Sequence, residues 1–431
     1  MSNKESKGNP LYQKTTLANG LRVLTAPMPH IRSVSMSFFI GTGSRYETEE
    51  QAGISHFIEH LCFRGTSKRP TSIEISTEIE GVGGILNGGT DKEITIYWCK
   101  VAQPHLQTAL DVMVDMLLNS KFDPGDMEKE RQIIIEEINM SYDSPANRVA
   151  LLIEELLWPE HPLGRDIAGS KKSVAAITRD MLLSYLARQY QPSNTVVAVA
   201  GGIQHQEAVA AISQILGKWT DQQPHPEYVP YEKKPAQRLR IETRDTEQVQ
   251  LCLALPGLSF LHPKRFSLDL LNVILGEGMS SRLFTEIRDK MGLAYSIGSY
   301  ADHFLDTGSL VISAGVETKN LPLAIEAILK ELSRLTKIIP ESELNKAKEF
   351  SKGRLLLRME DSRSVTGWLG GQEILMGRIL SIDEVVSIID AITAEELQQL
   401  AQELLVGDQL RLAVVGPVPP DEPLEKLLRF E

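Results

Sequence analysis

Apolar positions along the chain follow two periods. Val34-Ser-Met-Ser-Phe-Phe-Ile40 and Val249-Gln-Leu-Cys-Leu-Ala-Leu255 read as strands, each running into a Gly-containing turn. The helical period appears in Ile54, Phe57, Ile58 and Leu61, which form one stripe at 100° per residue. Thr48 to Gln51 matches a capping box for the start of that helix, and Arg64-Gly65 its close. A second helix is expected from Asp126 to Ser141, opened by Pro124 and Asp126, with Met127, Ile133, Ile134 and Ile138 on its buried arc.

The pattern repeats at a constant offset of 215 residues. Ile177-Thr-Arg-Asp and Ile392-Thr-Ala-Glu each open an amphipathic helix, which leads to a buried strand ending at Gly201 or Gly416. Thr393 and Glu396 make a capping box in the second copy. The same offset pairs the strands that begin at Val34 and Val249. Between the copies, Asp221 to Gln237 contains Pro224, Pro226, Pro230 and Pro235, and reads as an extended linker. The expected fold class is α+β: two homologous domains, 10–220 and 238–431, joined by 221–237. Each is a mostly antiparallel sheet with helices on one face.

The 431 residues are 42% apolar and 24% charged, an ordinary globular composition. A net charge of −12 argues against nucleic acid, which calls for a basic face. Cys62, Cys99 and Cys252 are too scattered for a disulfide framework or a thiolate zinc site, so a reducing compartment fits. The first residues lack the apolar core of a secretory signal. No apolar run reaches the roughly 18–20 residues of a membrane span. The expectation is a cytoplasmic protein without membrane partners.

Chemistry concentrates in His56-Phe57-Ile58-Glu59-His60. His56 and His60 lie one turn apart, opposite the apolar stripe, with Glu59 beside them. Two imidazoles at i and i+4 can hold one tetrahedral Zn²⁺, and the neighbouring carboxylate can take a proton from water. The competing reading is a solvated polar helix face. A third ligand is sought on the second helix, where Glu130 and Glu137 fall within the buried arc while Glu128, Lys129, Gln132, Glu136 and Asn139 fall outside it. A core-facing carboxylate must be paired or bind metal. This selects Glu137 over Glu136 as ligand and places Glu130 behind a ligand histidine or the water. A salt bridge to an Arg or Lys is the alternative for both. In the second copy, the positions of His56, Glu59, His60 and Glu137 hold Leu271, Ile274, Leu275 and Lys352, so one metal site per chain is expected.

With these residues the chain resembles the M16 metallopeptidase family, which includes pitrilysin, insulin-degrading enzyme and the mitochondrial processing peptidase. It is most similar to the half-length bacterial members. The resemblance runs from Leu17-Ala-Asn-Gly-Leu-Arg-Val to Ala413-Val-Val-Gly-Pro, and the family spacing of HxxEH, 76 residues, then Glu lands on Glu137. It implies His56, His60 and Glu137 as ligands of one Zn²⁺ per chain, Glu59 as general base and Glu130 as a supporting glutamate. Gly83 to Tyr97 resembles the edge strand that holds substrate backbone, with Asn87, Gly88, Gly89 and Thr90 at its centre and Gly88 where the family usually has Ala. Ser281 to Tyr295 resembles the segment carrying the family's Arg/Tyr pair. There Arg288 would hold the substrate carbonyl and Tyr295 would donate to the oxyanion. From the residues alone, Arg288 is a cation in a helix's last turn and Tyr295 a strand residue.

The resemblance implies a zinc endopeptidase acting on peptides or unfolded segments in a two-subunit chamber. A homodimer is favoured over a heterodimer with a related subunit, because both residue sets stand on one chain. The alternatives are a non-catalytic subunit of a related complex, which lacks parts of the HxxEH set, and a zinc hydrolase of non-peptide substrates.

Overall fold

The computed structural model describes residues 12–221, 227–234 and 237–430. Part of the expected linker, including Pro224, Pro226 and Pro235, lies outside the described residues. Two sheets form. The first joins β1 (Gln13–Thr16), β2 (Arg22–Pro27), β3 (Ser33–Ile40), β4 (Ile85–Thr90), β5 (Thr95–Ala102) and β6 (Thr195–Gly201) in the order β1-β2-β6-β3-β5-β4. The second joins β7 (Leu239–Thr243), β8 (Val249–Pro256), β9 (Ala294–His303), β10 (Gly308–Val316) and β11 (Arg411–Gly416) in the order β7-β11-β8-β10-β9. Without β1 the two orders coincide. Each sheet is antiparallel except for one pair in the same place, β2 with β6 and β7 with β11. The duplication is therefore a duplication of topology.

The repeated helix starts also match. Thr178 and Thr393 each accept an N–H bond at the start of helices Arg179–Gln189 and Ala394–Leu404. The capping box expected at Thr393 is half made, since Thr393 caps Glu396 N–H while the Glu396 carboxylate accepts from Ser267 Oγ instead.

The central strand β3 is buried almost throughout, including its polar positions Ser35 and Ser37. In a sheet covered on one face those alternate residues would meet solvent. Here they meet helix Ser362–Met376, with Ser35 Oγ 2.8 Å from Ser362 Oγ and Ser37 Oγ 2.7 Å from Thr366 Oγ1. Leu369 and Val365 of that helix pack with Phe39, Ala198 and Ala200. In the second sheet the corresponding cover is helix Pro145–Leu157, whose Val149, Leu152, Ile153 and Leu156 pack on Cys252, Ala254, Ala413 and Val415. The chain's compact units follow this exchange. One contains the described residues up to Glu136, Ile167–Tyr228 and Leu356–Ser381; the other contains Glu137–Asp166, the described residues from Val229 to Leu355, and those from Ile382. Helices thus cover both faces of each sheet, one helix coming from the other copy.

Close packing of the exchanged helix depends on Gly370, where a Cβ would stand 2.0 Å from Phe39 Cε2. The Phe39 ring is buried and packs with Val365 and Leu369 of the same helix. Gly370→Ala should therefore cost about 1–3 kcal/mol by overpacking. Gly371→Ala, next to it and with nothing within 4 Å of the new Cβ, should instead gain about 0.5–1 kcal/mol from lost unfolded-state freedom. Denaturant midpoints of the two variants, moving in opposite directions, check the placement.

Candidate metal centre

The helix that carries the histidines is Ile54–Cys62. Ile54, Phe57, Ile58 and Leu61 are all buried, and His56, Glu59 and His60 are half-buried on the other side, as the period requires. Its start differs from expectation. The Thr48–Gln51 capping box is present, but it opens only a 3₁₀ turn, Glu49–Gln51. The chain then breaks at Gly53, whose φ of +93° is left-handed and whose Cβ would stand 2.4 Å from Ala168 O. The helix proper is capped by a residue the sequence reading passed over. Glu47, 4% exposed, accepts from Gly53 N–H and Ser55 N–H, both at 2.8 Å. A carboxylate at a helix start meets free amides and the positive end of the dipole. Ser55 Oγ continues inward to Tyr185 OH at 2.9 Å, and Tyr185 OH to Thr42 Oγ1 at 2.8 Å.

The two imidazoles face each other, Nε2 to Nε2, at 3.2 Å. A metal bonded at about 2.0–2.1 Å to both would see them roughly 100° apart, close to the tetrahedral angle. Burial, and then His60, push His56 down to about 4, so at neutral pH its ring is uncharged, the form that binds metal. His56, Glu59 and His60 each offer a ligand atom within 4.8 Å of the others. The donor set fits a divalent ion that takes nitrogen and oxygen ligands, zinc foremost.

Glu130 lies behind His60. Its carboxylate, 2% exposed, accepts from His60 Nδ1–H at 2.9 Å and also pairs with the Arg64 guanidinium. The bond fixes the tautomer with the Nε2 lone pair turned toward His56, the usual role of an outer carboxylate at a histidine metal site. Arg64 is thus more than a helix stop. It follows His60 by four residues, a same-face spacing that could have marked it.

Glu130 and Glu137 stand two turns apart on one continuous helix, Pro124–Asp143. Glu137 is half-buried and Glu136 exposed, matching the phase argument. Ile133 does not belong to the buried arc: it is 40% exposed, whereas Met127, Ile134 and Ile138 are buried. The reason is angular, for Ile133 sits about 120° around the helix from the centre of that arc.

Asn87, Gly88, Gly89 and Thr90 lie on β4, the last strand of the first sheet, which among the described residues pairs only with β5. Gly88 faces Glu59: a Cβ there would stand 2.7 Å from Glu59 Oε1 and 3.0 Å from the Phe63 ring. Arg288 and Tyr295 belong to the second unit. Both are exposed, and the Arg288 guanidinium lies 5.3 Å from the Tyr295 ring and 4.7 Å from the Phe284 ring. Tyr295 is on β9, and Arg288 is in the last turn of a helical stretch wound as a π-helix over Phe284–Lys290. The positions equivalent to His56, Glu59 and His60, which are Leu271, Ile274 and Leu275, are buried on helix Arg265–Leu275. Among the described residues no helix is long and apolar enough to cross a membrane.

A repeated α+β unit with, among the described residues, a metal-compatible His/Glu cluster on its first copy alone defines the class. A model of the insulinase family, peptidase family M16, matches residues 22–171, and the one described as the peptidase M16 inactive domain matches residues 176–350. An uncharacterized zinc protease of Bacillus subtilis, YmxG, is 36% identical over 94% of this chain and 98% of its own length. An uncharacterized zinc protease of Mycobacterium leprae is 37% identical over 97% of this chain and 94% of its own. Among solved structures, a protease from Helicobacter pylori superposes with a TM-score of 0.88 at 24% identity, covering 94% of this chain and 99% of that one. A chain of complex III from Candida albicans reaches 0.80 at 21% identity, covering 96% and 99%. The two structures show the fold. The chain belongs to the M16 peptidase family, at the length of its half-length bacterial members.

The geometry predicts metal binding directly. Purified protein should take up about one Zn²⁺ per chain, and His60→Ala should abolish uptake. Glu130→Ala should weaken affinity by about 10–100-fold, measured by competition with a chromophoric chelator. An unchanged affinity in Glu130→Ala would remove its hold on a ligand histidine.

Proposed function

We propose that the protein is a zinc-dependent endopeptidase acting on peptides or unfolded segments. The observation that supports this most is the opposed Nε2 pair of His56 and His60, with Glu59 beside it and Glu130 fixing His60 from behind. His56, His60 and Glu137 would hold the zinc. When bound, zinc supplies the Lewis acidity that polarises a peptide carbonyl and makes water a nucleophile at neutral pH. Glu59 then takes the proton of the attacking water and passes it to the leaving amine. Glu130 keeps His60 in one tautomer throughout. An extended peptide would add to β4, the strand of Asn87 to Thr90, at Gly88 beside Glu59, taking over the Gly88 N–H that now donates to Asn87 Oδ1 at 2.8 Å. Arg288 would hold the substrate carbonyl, and Tyr295 would donate to the oxyanion.

The match described as an inactive domain covers 176–350, which leaves out residues 56–60 and 130–137. The alternative is a non-catalytic subunit of a related complex, and turnover of an unstructured peptide decides between the two readings.

The zinc set stands on the first copy and the Arg/Tyr pair on the second. We place them in one active site across a symmetric homodimer, the first domain of one chain facing the second domain of its partner. The substrate would be enclosed between them, in the cytoplasm.

Glu59→Gln should keep zinc and lose turnover of an unstructured peptide by a factor of about 10²–10⁴. Glu136→Gln, on the exposed side of the same helix as Glu137, should be nearly silent. Near wild-type cleavage by Glu59→Gln would remove its role as base. For the dimer, Glu59→Gln and Arg288→Ala are each expected to be nearly inactive. Co-expressed, they should recover to roughly a quarter of wild-type activity, because half the dimers are mixed and each mixed dimer rebuilds one of two sites. No recovery, with mixed dimers confirmed by native mass spectrometry, would place the pair in its own chain's site or in none.

A further inference from the structure

The second unit holds a cavity of about 180 Å³ that the peptidase reading does not use. It lies among the end of helix Arg265–Leu275, the helical stretch from Arg282 to Lys290, the last turn of helix Leu321–Leu335 and the start of helix Glu341–Arg358. Three of its lining side chains are cationic: Arg282, Arg334 and Lys346.

Two adjacent donors at this cavity have no acceptor among the described residues. The Arg282 side chain is 9% exposed; its Nε donates to Glu343 Oε2 at 2.8 Å, but Nη1 is buried with no hydrogen-bond partner. Ser281 is 3% exposed, and its Oγ is likewise buried without one. Buried donors are rarely left unpaired, since each then carries its full desolvation cost. Two in succession point to an absent acceptor.

The charges around the cavity say what kind. Glu343 is matched by Arg282, Glu286 by Lys290 at 2.7 Å, and Arg334 by Glu331 at 2.9 Å. Lys346 Nζ has a carbonyl, Ser280 O, at 2.6 Å. One positive charge is therefore in excess, and it stands beside two unanswered donors. A cation is repelled by that balance, and an apolar group leaves the donors orphaned. A small anion whose oxygens only accept satisfies both.

We propose that this cavity binds a small oxyanion of the phosphate or carboxylate class, held by Arg282, Ser281 and Lys346. Its place in the fold gives the site a consequence. Ser281 and Arg282 open the helical stretch that continues into the π-wound turns carrying Arg288 against Phe284 and Tyr295. An anion at its start fixes the register of those turns. The site is independent of the zinc reading and stands or falls separately from it.

Hydrogen–deuterium exchange of the zinc-loaded, full-length protein tests this, with inorganic phosphate or acetate titrated against chloride at constant ionic strength. The expected result is saturable protection of residues 280–290, with residues 54–62 unchanged. Lys346→Gln and Arg282→Gln should each raise the half-saturating concentration by about tenfold, the worth of one charge-assisted hydrogen bond. Ser281→Ala keeps the fold by removing an orphaned hydroxyl and should raise it several-fold, so the test does not depend on an arginine variant folding. Stronger protection by phosphate than by acetate assigns the phosphate class. Protection by a peptide with a free C-terminal carboxylate, but not by its amide, assigns a chain terminus. No protection of 280–290 by any of them overturns the proposal, as does protection that is equal with chloride, confined to 54–62, or unchanged in Ser281→Ala and Lys346→Gln.

Discussion

Ile54, Phe57, Ile58 and Leu61 can leave water only by turning one face of a nine-residue helix inward. Once that face is buried, the positions of His56, Glu59 and His60 are no longer free. They must stand on the opposite side, one turn apart, half-exposed and close to the edge strand. Four apolar side chains at about 1.5–3 kcal/mol each are ample to hold so short a helix in one rotation. The capping by Glu47 then fixes where the helix begins, and with it the height of the histidines above the sheet. The metal chemistry proposed here is a by-product of a packing constraint that says nothing of metals.

The second copy shows what the same constraint does when the chemistry is taken away. Leu271, Ile274 and Leu275 occupy the equivalent positions and are buried, so that helix packs on more of its circumference. A histidine pair there would have to be desolvated without a metal in return, which is costly. Duplication thus left one copy with a half-exposed helix and the other with a buried one, on sheets of the same strand order. The second copy puts its exposed functional candidates elsewhere, at Arg288 and Tyr295.

Local periodicity made a good part of this legible from sequence. The rotation of the histidine helix, the inward lean of Glu130 and Glu137 and the outward one of Glu136 all follow from 100° per residue, and the structure has them so. What periodicity could not show is non-local. Ser35 and Ser37 look like solvent positions until helix Ser362–Met376, over 320 residues away, is laid on them. Glu47 looks like a loop residue until its carboxylate is seen at the helix start. Ile133 is an apolar residue exposed by its angle, which sets it on the flank of the helix whatever its type suggests. The π winding at Phe284–Lys290 widens the turn by one residue, and no side-chain pattern over seven residues distinguishes that from an α-helix.

Gly88 brings the strand and the helix into one argument. A peptide added to β4 would lie along the same edge from which Gly88 faces the Glu59 carboxylate, so close that a side chain at 88 would have to displace it. Any Cβ there would push on Glu59 Oε1 or on the Phe63 ring, and of the two the carboxylate, at the end of a flexible side chain, yields first. The residue proposed to hold a substrate's backbone and the one proposed to move its proton therefore share a boundary one methyl group wide. The absence of a side chain at Gly88 lets the edge strand approach the histidine helix this closely while the Glu59 carboxylate keeps its place beside the histidines.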